Sequence, residues 1–375
     1  RLAMENLLYK KNLDETIERL TLLYDRKAQD RIFAAFNIPS PTLEKFRQQY
    51  REGFCDYPDP VERSRFWDSL LAERSELLDD SIPCAYLSEI DQGLFGGMFG
   101  ANLQFMAHPE NGWISSMVMP LLKDWSKFDN LKPDPSNLWF ERYIEQMYVF
   151  AQQGNDKFGV SHFCLINGLN AIFELVGATN TYISVIENPN IIKKAFEFSF
   201  SINMKIQNAF FEHIPLVRNG TCSNMSQWIP GRIISESVDP FHMTSPDYFE
   251  EWGKPMLQRA LDNFDGGVIH NHGNGRHLLK SLCSVKGIRG ICLLDDCGWP
   301  KAHETVRQIQ QDSTKDTPLS LIIPFDKFEE GLQNHTLAGG VIYMVSNTPS
   351  VNAANKLMKT VLAYRILHQY CAFLS

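Results

Sequence analysis

The sequence predicts an α/β protein, a (β/α)8 TIM barrel with an N-terminal helical extension. Three observations carry this. From about Pro83 onward, short β-rich runs alternate with longer helical stretches, the pattern of βαβ units around a parallel sheet. Eight strand candidates can be counted, the number that closes a barrel. The chain of 375 residues, 44% of them hydrophobic, is long enough to bury a large core. The competing reading is an open doubly wound sheet. It would place the site in a crevice between strands and usually carries a Gly-rich turn after the first strand.

Residues 1–80 are rich in Leu, Arg, Glu and Lys at helical spacing, as in NLDETIERLTLLYDRKAQDRIFAAF, with breaks at Pro39 and Pro41. They read as a lead-in of two to four helices packed on a barrel formed by residues 81–375. The strand candidates are Pro83–Ser88, Gly159–Leu165, Cys222–Trp228, Ile233–Val238, Gly267–His270, Ile288–Leu294, Leu319–Pro324 and Val341–Val345. Between several of them lie segments with an apolar stripe, such as PDYFEEWGKPMLQRALDNF, HETVRQIQQD and SVNAANKLMKTVLAYRILHQY. No long linker marks a second domain.

A formal charge of −8 and the lack of a Lys/Arg cluster argue against nucleic-acid binding. No apolar run approaches the roughly 18–20 residues needed to span a bilayer, so no membrane partner is expected. The opening residues RLAMENLLYKKNLDE lack the continuous apolar stretch of a signal peptide. The eight cysteines form no CxxC and no dense even spacing, so free thiols and a cytoplasmic location are expected.

Barrel sites lie at the C-terminal ends of the strands, so polar residues there are the first candidates. The strongest local signal is Gly267-Val268-Ile269-His270-Asn271-His272-Gly273-Asn274-Gly275-Arg276-His277. Two residues apart at a strand end, His270 and His272 share a face and can converge on one ion. The plainer reading makes His270 a hydrogen-bonded core histidine and His272 a solvated loop residue. A third reading has GNGRH hold an anion, with Arg276 at the start of the next helix.

Three further strand ends carry candidates. Asp239, in SVDPFH, suits a general acid or base, a metal ligand or a substrate anchor, and equally a turn carboxylate. Asp296 and Cys297, in LDDCGW, can complete a His/His metal site, although Asp-rich turns are ordinary. Glu89, in LSEIDQG, follows the first strand candidate. Trp228, Arg232 and Tyr343 are candidate substrate contacts, together with Arg276.

Asp239, Ser245-Pro246, Phe249, Pro255, the strand ending in His270 and Gly273, and His277-Leu278-Leu279 together resemble the uroporphyrinogen decarboxylase superfamily. The likeness spans roughly residues 83–365 and is most specific between Trp228 and Asp296. It implies a (β/α)8 barrel. In the methyltransferase branch the strand ends in His-x-Cys-Gly, a zinc site completed by a cysteine near the last strand. Here His270 matches the first ligand and His272 replaces the cysteine, while GGVIYMVSNTP offers Tyr343 and Met344 but no cysteine. The third ligand is then expected from Asp296, Cys297 or Asp239. In the heme-pathway branch an aspartate near the position of Glu89 meets the pyrrole nitrogens, but its basic N-terminal motif is missing here. A closer likeness is to uncharacterised members ending in a Tyr-His-Leu-Asp-Gly-like run, with histidine here in place of the aspartate.

The leading expectation is zinc-assisted methyl transfer or demethylation of a small molecule, with a thiol or corrinoid acceptor, the metal lowering a thiol's pKa. A corrinoid protein and a second copy of the chain, as homodimer, are the partners the resemblance suggests. The second expectation is metal-free decarboxylation of a small acid, with Asp239 or Glu89 placing the substrate, His270 protonating the carbanion and Arg232 holding a carboxylate. The third is a ligand-binding barrel without catalysis.

Overall fold

A computed structural model of the chain describes residues 3–162 and 167–366. It is a mixed α/β fold whose parallel strands are β1 (Phe33–Phe36), β2 (Cys84–Leu87), β3 (Gly159–His162), β4 (Ile234–Glu236), β5 (Gly267–Asn271), β6 (Ile288–Leu293), β7 (Leu319–Pro324) and β8 (Val341–Ser346). Six of them form one sheet in the order β1-β8-β7-β6-β5-β4, and β2 pairs with β3. Among the described residues no ladder joins β1 to β2 or β3 to β4, so hydrogen bonding does not close the sheet. Residues 163–165 of the strand candidate Gly159–Leu165 lie outside the described residues.

At the β1/β2 seam, carboxylates take the place of a ladder. Asp80 accepts the Ala34 N–H at 2.9 Å and Asp79 accepts the Phe36 N–H at 2.8 Å. Each buried carboxylate also meets a buried cation: Arg19 Nε lies 2.7 Å from Asp80 and Lys10 Nζ 3.2 Å from Asp79. Such pairs hold only when both charges are matched and hydrogen-bonded.

Two expectations about elements are corrected. The N-terminal segment is not wholly helical, because Phe33-Ala34-Ala35-Phe36 runs as a strand parallel to β8. Four apolar residues are too few for periodicity to separate strand from helix. Nor is Cys222–Trp228 a single strand. It spans a hairpin between Gly220–Ser223 and Gln227–Pro230, which turns at Asn224-Met225-Ser226 and places Gln227 at a φ of 67°.

Strand alternation divides the apolar side chains between two faces. Ala34, Phe36, Ile269, Leu293, Leu321, Tyr343 and Val345 pack under the helices. Phe33, Ala35, Val268, Cys292 and Ile342 face the other way, against the helix Leu13–Tyr24 and the hairpin. The hairpin tip is tied to this inner face, with Ser320 Oγ donating to the Met225 carbonyl at 2.6 Å. No helix among the described residues is long and apolar enough to cross a membrane.

Candidate metal centre

His270 lies on β5 with the parity of Val268, so its imidazole projects from the inner face at the C-terminal end of the sheet. His272 follows one residue beyond the strand. Asp239 opens a 3-10 turn, Asp239–Met243, three residues after β4. Because β4 and β5 are hydrogen-bonded neighbours, the carboxylate meets both rings. Asp239 Oδ1 is 2.8 Å from His270 Nε2, and Oδ2 is 3.6 Å from His272 Nε2. One donor atom from each residue lies within 4.8 Å of the others. Two imidazoles and a carboxylate fit a divalent transition metal and leave coordination positions for water or substrate.

A second carboxylate supports the first. Asp296, beyond β6, sits 3.1 Å from His272 Nδ1 through Oδ1 and accepts the Gly273 N–H at 2.5 Å through Oδ2. A carboxylate on the far nitrogen fixes the ring and keeps Nε2 turned toward the metal position. Gly273 is required by this approach, since a Cβ there would stand 2.8 Å from Trp299 Cβ and 3.2 Å from Asp296 Oδ2.

The electrostatics follow from these contacts. Burial pushes the Asp239 carboxyl up, but hydrogen bonds and charge from His270 and His272 outweigh it and hold it well below the usual carboxylate range. The hydrogen bond to Asp239 raises His272 to about 9, with Asp296 adding to it and burial opposing. Asp296 is lowered despite burial by the Gly273 N–H and His272. Metal binding replaces the proton on a ligand nitrogen, so acid and metal compete for this centre.

Sequence reasoning gave no role to His242, although Asp239-x-x-His242 on one turn was a readable spacing. It is 6% exposed, its Nδ1 is 3.9 Å from Asp239 Oδ1, and its ring centroid is 5.7 Å from that of His272. Burial, joined by the neighbouring histidines, pushes it down to about 4. A neutral imidazole therefore backs the carboxylate. Gly275 permits this packing, because a Cβ there would fall 2.3 Å from His242 Cδ2.

Several expected site residues are placed elsewhere. Cys297 is exposed and outside the ligand cluster, because the chain turns outward after Asp296. Asp296 contacts His272 from behind and is not within the cluster of three. Glu89 is fully buried in an ion pair with Arg63 at 2.6 Å and accepts Gln146 Nε2 at 2.8 Å. Burial raises its pKa against the pull of Arg63, and both oxygens are occupied. Arg276 is engaged by the protein itself: it donates to the Asn271 carbonyl and Oδ1 and to the Leu294 carbonyl, at 2.6, 2.8 and 2.6 Å, stapling the ends of β5 and β6.

Arg232 sits ahead of β4, at the opposite end of the strand from Asp239, and stacks on Phe211 and Phe264. Trp228 is buried in the hairpin and donates from Nε1 to the Val217 carbonyl at 2.7 Å. Tyr343 faces the helices, its hydroxyl bonded to the backbone of Ala338. None of these three borders the metal centre. No protein-family model matches the chain, and no curated protein matches it.

Proposed function

We propose that the protein is a metal-dependent enzyme that acts on a small molecule, with Asp239, His270 and His272 as its metal ligands. The observation that carries the proposal is the convergence of these three donors from two adjacent strand ends, backed by Asp296 on the far side of His272. Zinc suits three protein ligands with an open position, and iron(II) takes the same donor set. Bound zinc lowers the pKa of a coordinated thiol and so supplies a nucleophile.

On this reading the reaction is methyl transfer. The thiol sulfur attacks a methyl carbon, the bond between methyl and donor breaks, the donor leaves with its electron pair, and the thiol proton passes to solvent. A corrinoid or a small methylated compound serves as donor, and a corrinoid protein as its carrier. We also place the chain as a distant member of the uroporphyrinogen decarboxylase superfamily, with its parallel strands as arcs of a (β/α)8 barrel. The eight parallel strands among the described residues support this, because β1 returns to pair with β8.

The decarboxylase reading has less support. The arginines that sequence reasoning offered for a substrate carboxylate are committed elsewhere, Arg276 to backbone carbonyls and Arg232 to two phenylalanine rings. The test is a screen of the zinc-loaded protein with methylcobalamin and methyl thioethers as donors and a small thiol as acceptor. The proposal expects a methyl thioether product that His270→Ala abolishes. Turnover undiminished in His270→Ala contradicts it.

A further inference from the structure

We infer that the substrate of this centre is amphipathic, with a metal-binding head at Asp239, His270 and His272 and an aliphatic part lying on Leu294, Ile322 and Met344; the inference rests on the metal-dependent reading above. The argument begins with Ile322. It lies within β7, which is hydrogen-bonded to β6 on one side and to β8 on the other. Such a position is normally covered on both faces. Its neighbours Leu321 and Ile323 are buried under the helices, yet Ile322 is 40% exposed.

Alternation puts Ile322 on the inner face with Ser320. Below it that face is filled: Ser320 is 2% exposed and reaches the hairpin tip at Met225. The filling stops at the hairpin, so an aliphatic side chain is left bare at the mouth of the inner face.

The register connects this bare position to the metal centre. The Leu294 N–H donates to the Asn271 carbonyl at 2.9 Å, continuing the β5/β6 ladder one residue beyond the strands and setting Leu294 beside His272. Leu293 pairs with Leu321, which sets Leu294 beside Ile322, and Ile322 pairs with Met344. At about 4.8 Å between neighbouring strands, the three side chains extend roughly 5, 10 and 15 Å from His272 along one row. Leu294 and Met344 are half-buried and pack on the inner apolar cluster. None of the three carries a charge. At this level of the sheet the inner-face row therefore runs from the charged groups of β4 and β5 to three aliphatic side chains on β6, β7 and β8, with Asp295 and Asp296 following Leu294 beyond the row. A ligand whose head binds the metal extends its other end along that wall.

The experiment uses n-alkyl hydroxamates from acetohydroxamate to octanohydroxamate, titrated into the cobalt-substituted protein and followed by the visible absorption of the metal. Affinity should rise about threefold per methylene added, somewhat less than full burial provides. Ile322→Asn and Met344→Asn should each flatten that rise while cobalt binding is retained. Repeating the series by ligand-observed NMR after stripping the metal separates the two claims. The rise with chain length should survive stripping, while affinity falls across the whole series. Equal affinity with and without metal contradicts the metal reading and leaves the apolar wall standing. No rise in the wild type, or an unchanged rise in both variants, overturns the inference itself.

Discussion

Replacing Asp296 with asparagine should weaken metal binding without removing the centre. Asp296 touches the centre only through His272, at 3.1 Å from Nδ1, while its other oxygen holds the Gly273 N–H. Asparagine can keep the Gly273 contact through its carbonyl oxygen, but it loses the charge that orients and polarises the ring. Loss of such a supporting carboxylate typically costs 10- to 100-fold in metal affinity. The Asp296 side chain is 34% exposed, so solvent screens part of its charge. The expected loss is therefore near the lower end, about tenfold, or about 1.4 kcal/mol. Competition with a chromogenic chelator at fixed pH measures it. Affinity within about twofold of wild type would show that Asp296 does not orient His272. A complete loss, as in His270→Ala, would contradict the supporting role that its place behind His272 gives Asp296.

Three further outcomes follow from other contacts. Gly275→Ala should force the His242 ring out of its packing, since the added Cβ would lie 2.3 Å from it; overpacking of this kind costs about 1–3 kcal/mol in urea-unfolding stability, and an unchanged midpoint would contradict the placement of His242. Glu236 is fully buried and pushed up to about 8 by burial, with Asn203 and Asn167 opposing. Its protonated form is favoured by folding, so its penalty is absent below the ordinary carboxyl pKa, grows as pH rises toward 8 and then levels off, reaching on the order of 5 kcal/mol. Glu236→Gln should remove that decline, seen as a widening stability gap over wild type between pH 5 and pH 8; parallel stability curves would rule it out. Arg232→Ala should leave metal affinity unchanged, because Arg232 lies at the other end of β4; a tenfold drop would place it at the centre after all.

How much of this was readable in the sequence depends on the scale of the interaction. His270 and His272 were legible because period-two spacing at the end of an apolar strand fixes two rings on one side, independent of the rest of the fold. Asp239 was legible only as a strand-end carboxylate with several roles, since its meeting with the histidines depends on β4 lying beside β5. Arg276 and Glu89 look like functional groups in one dimension. In three dimensions their partners, Asn271 and Leu294 for one and Arg63 and Gln146 for the other, occupy them. Phe33–Phe36 was hidden by brevity, and the hairpin by a turn that breaks what looks like a continuous strand. Tyr343 shows the limit of residue type as a guide: alternation turns it to the helices and leaves Met344 on the inner face.

The most direct test is the metal content of the purified, untagged protein, by elemental mass spectrometry, beside the His270→Ala/His272→Ala double variant and Asp239→Ala. The proposal predicts close to one equivalent of a divalent transition metal in the wild type. It predicts loss of that metal in both variants, with circular dichroism unchanged. Full occupancy in both folded variants, or a wild type that takes up no metal when zinc and iron(II) are offered, would contradict the assignment of this cluster as a metal centre.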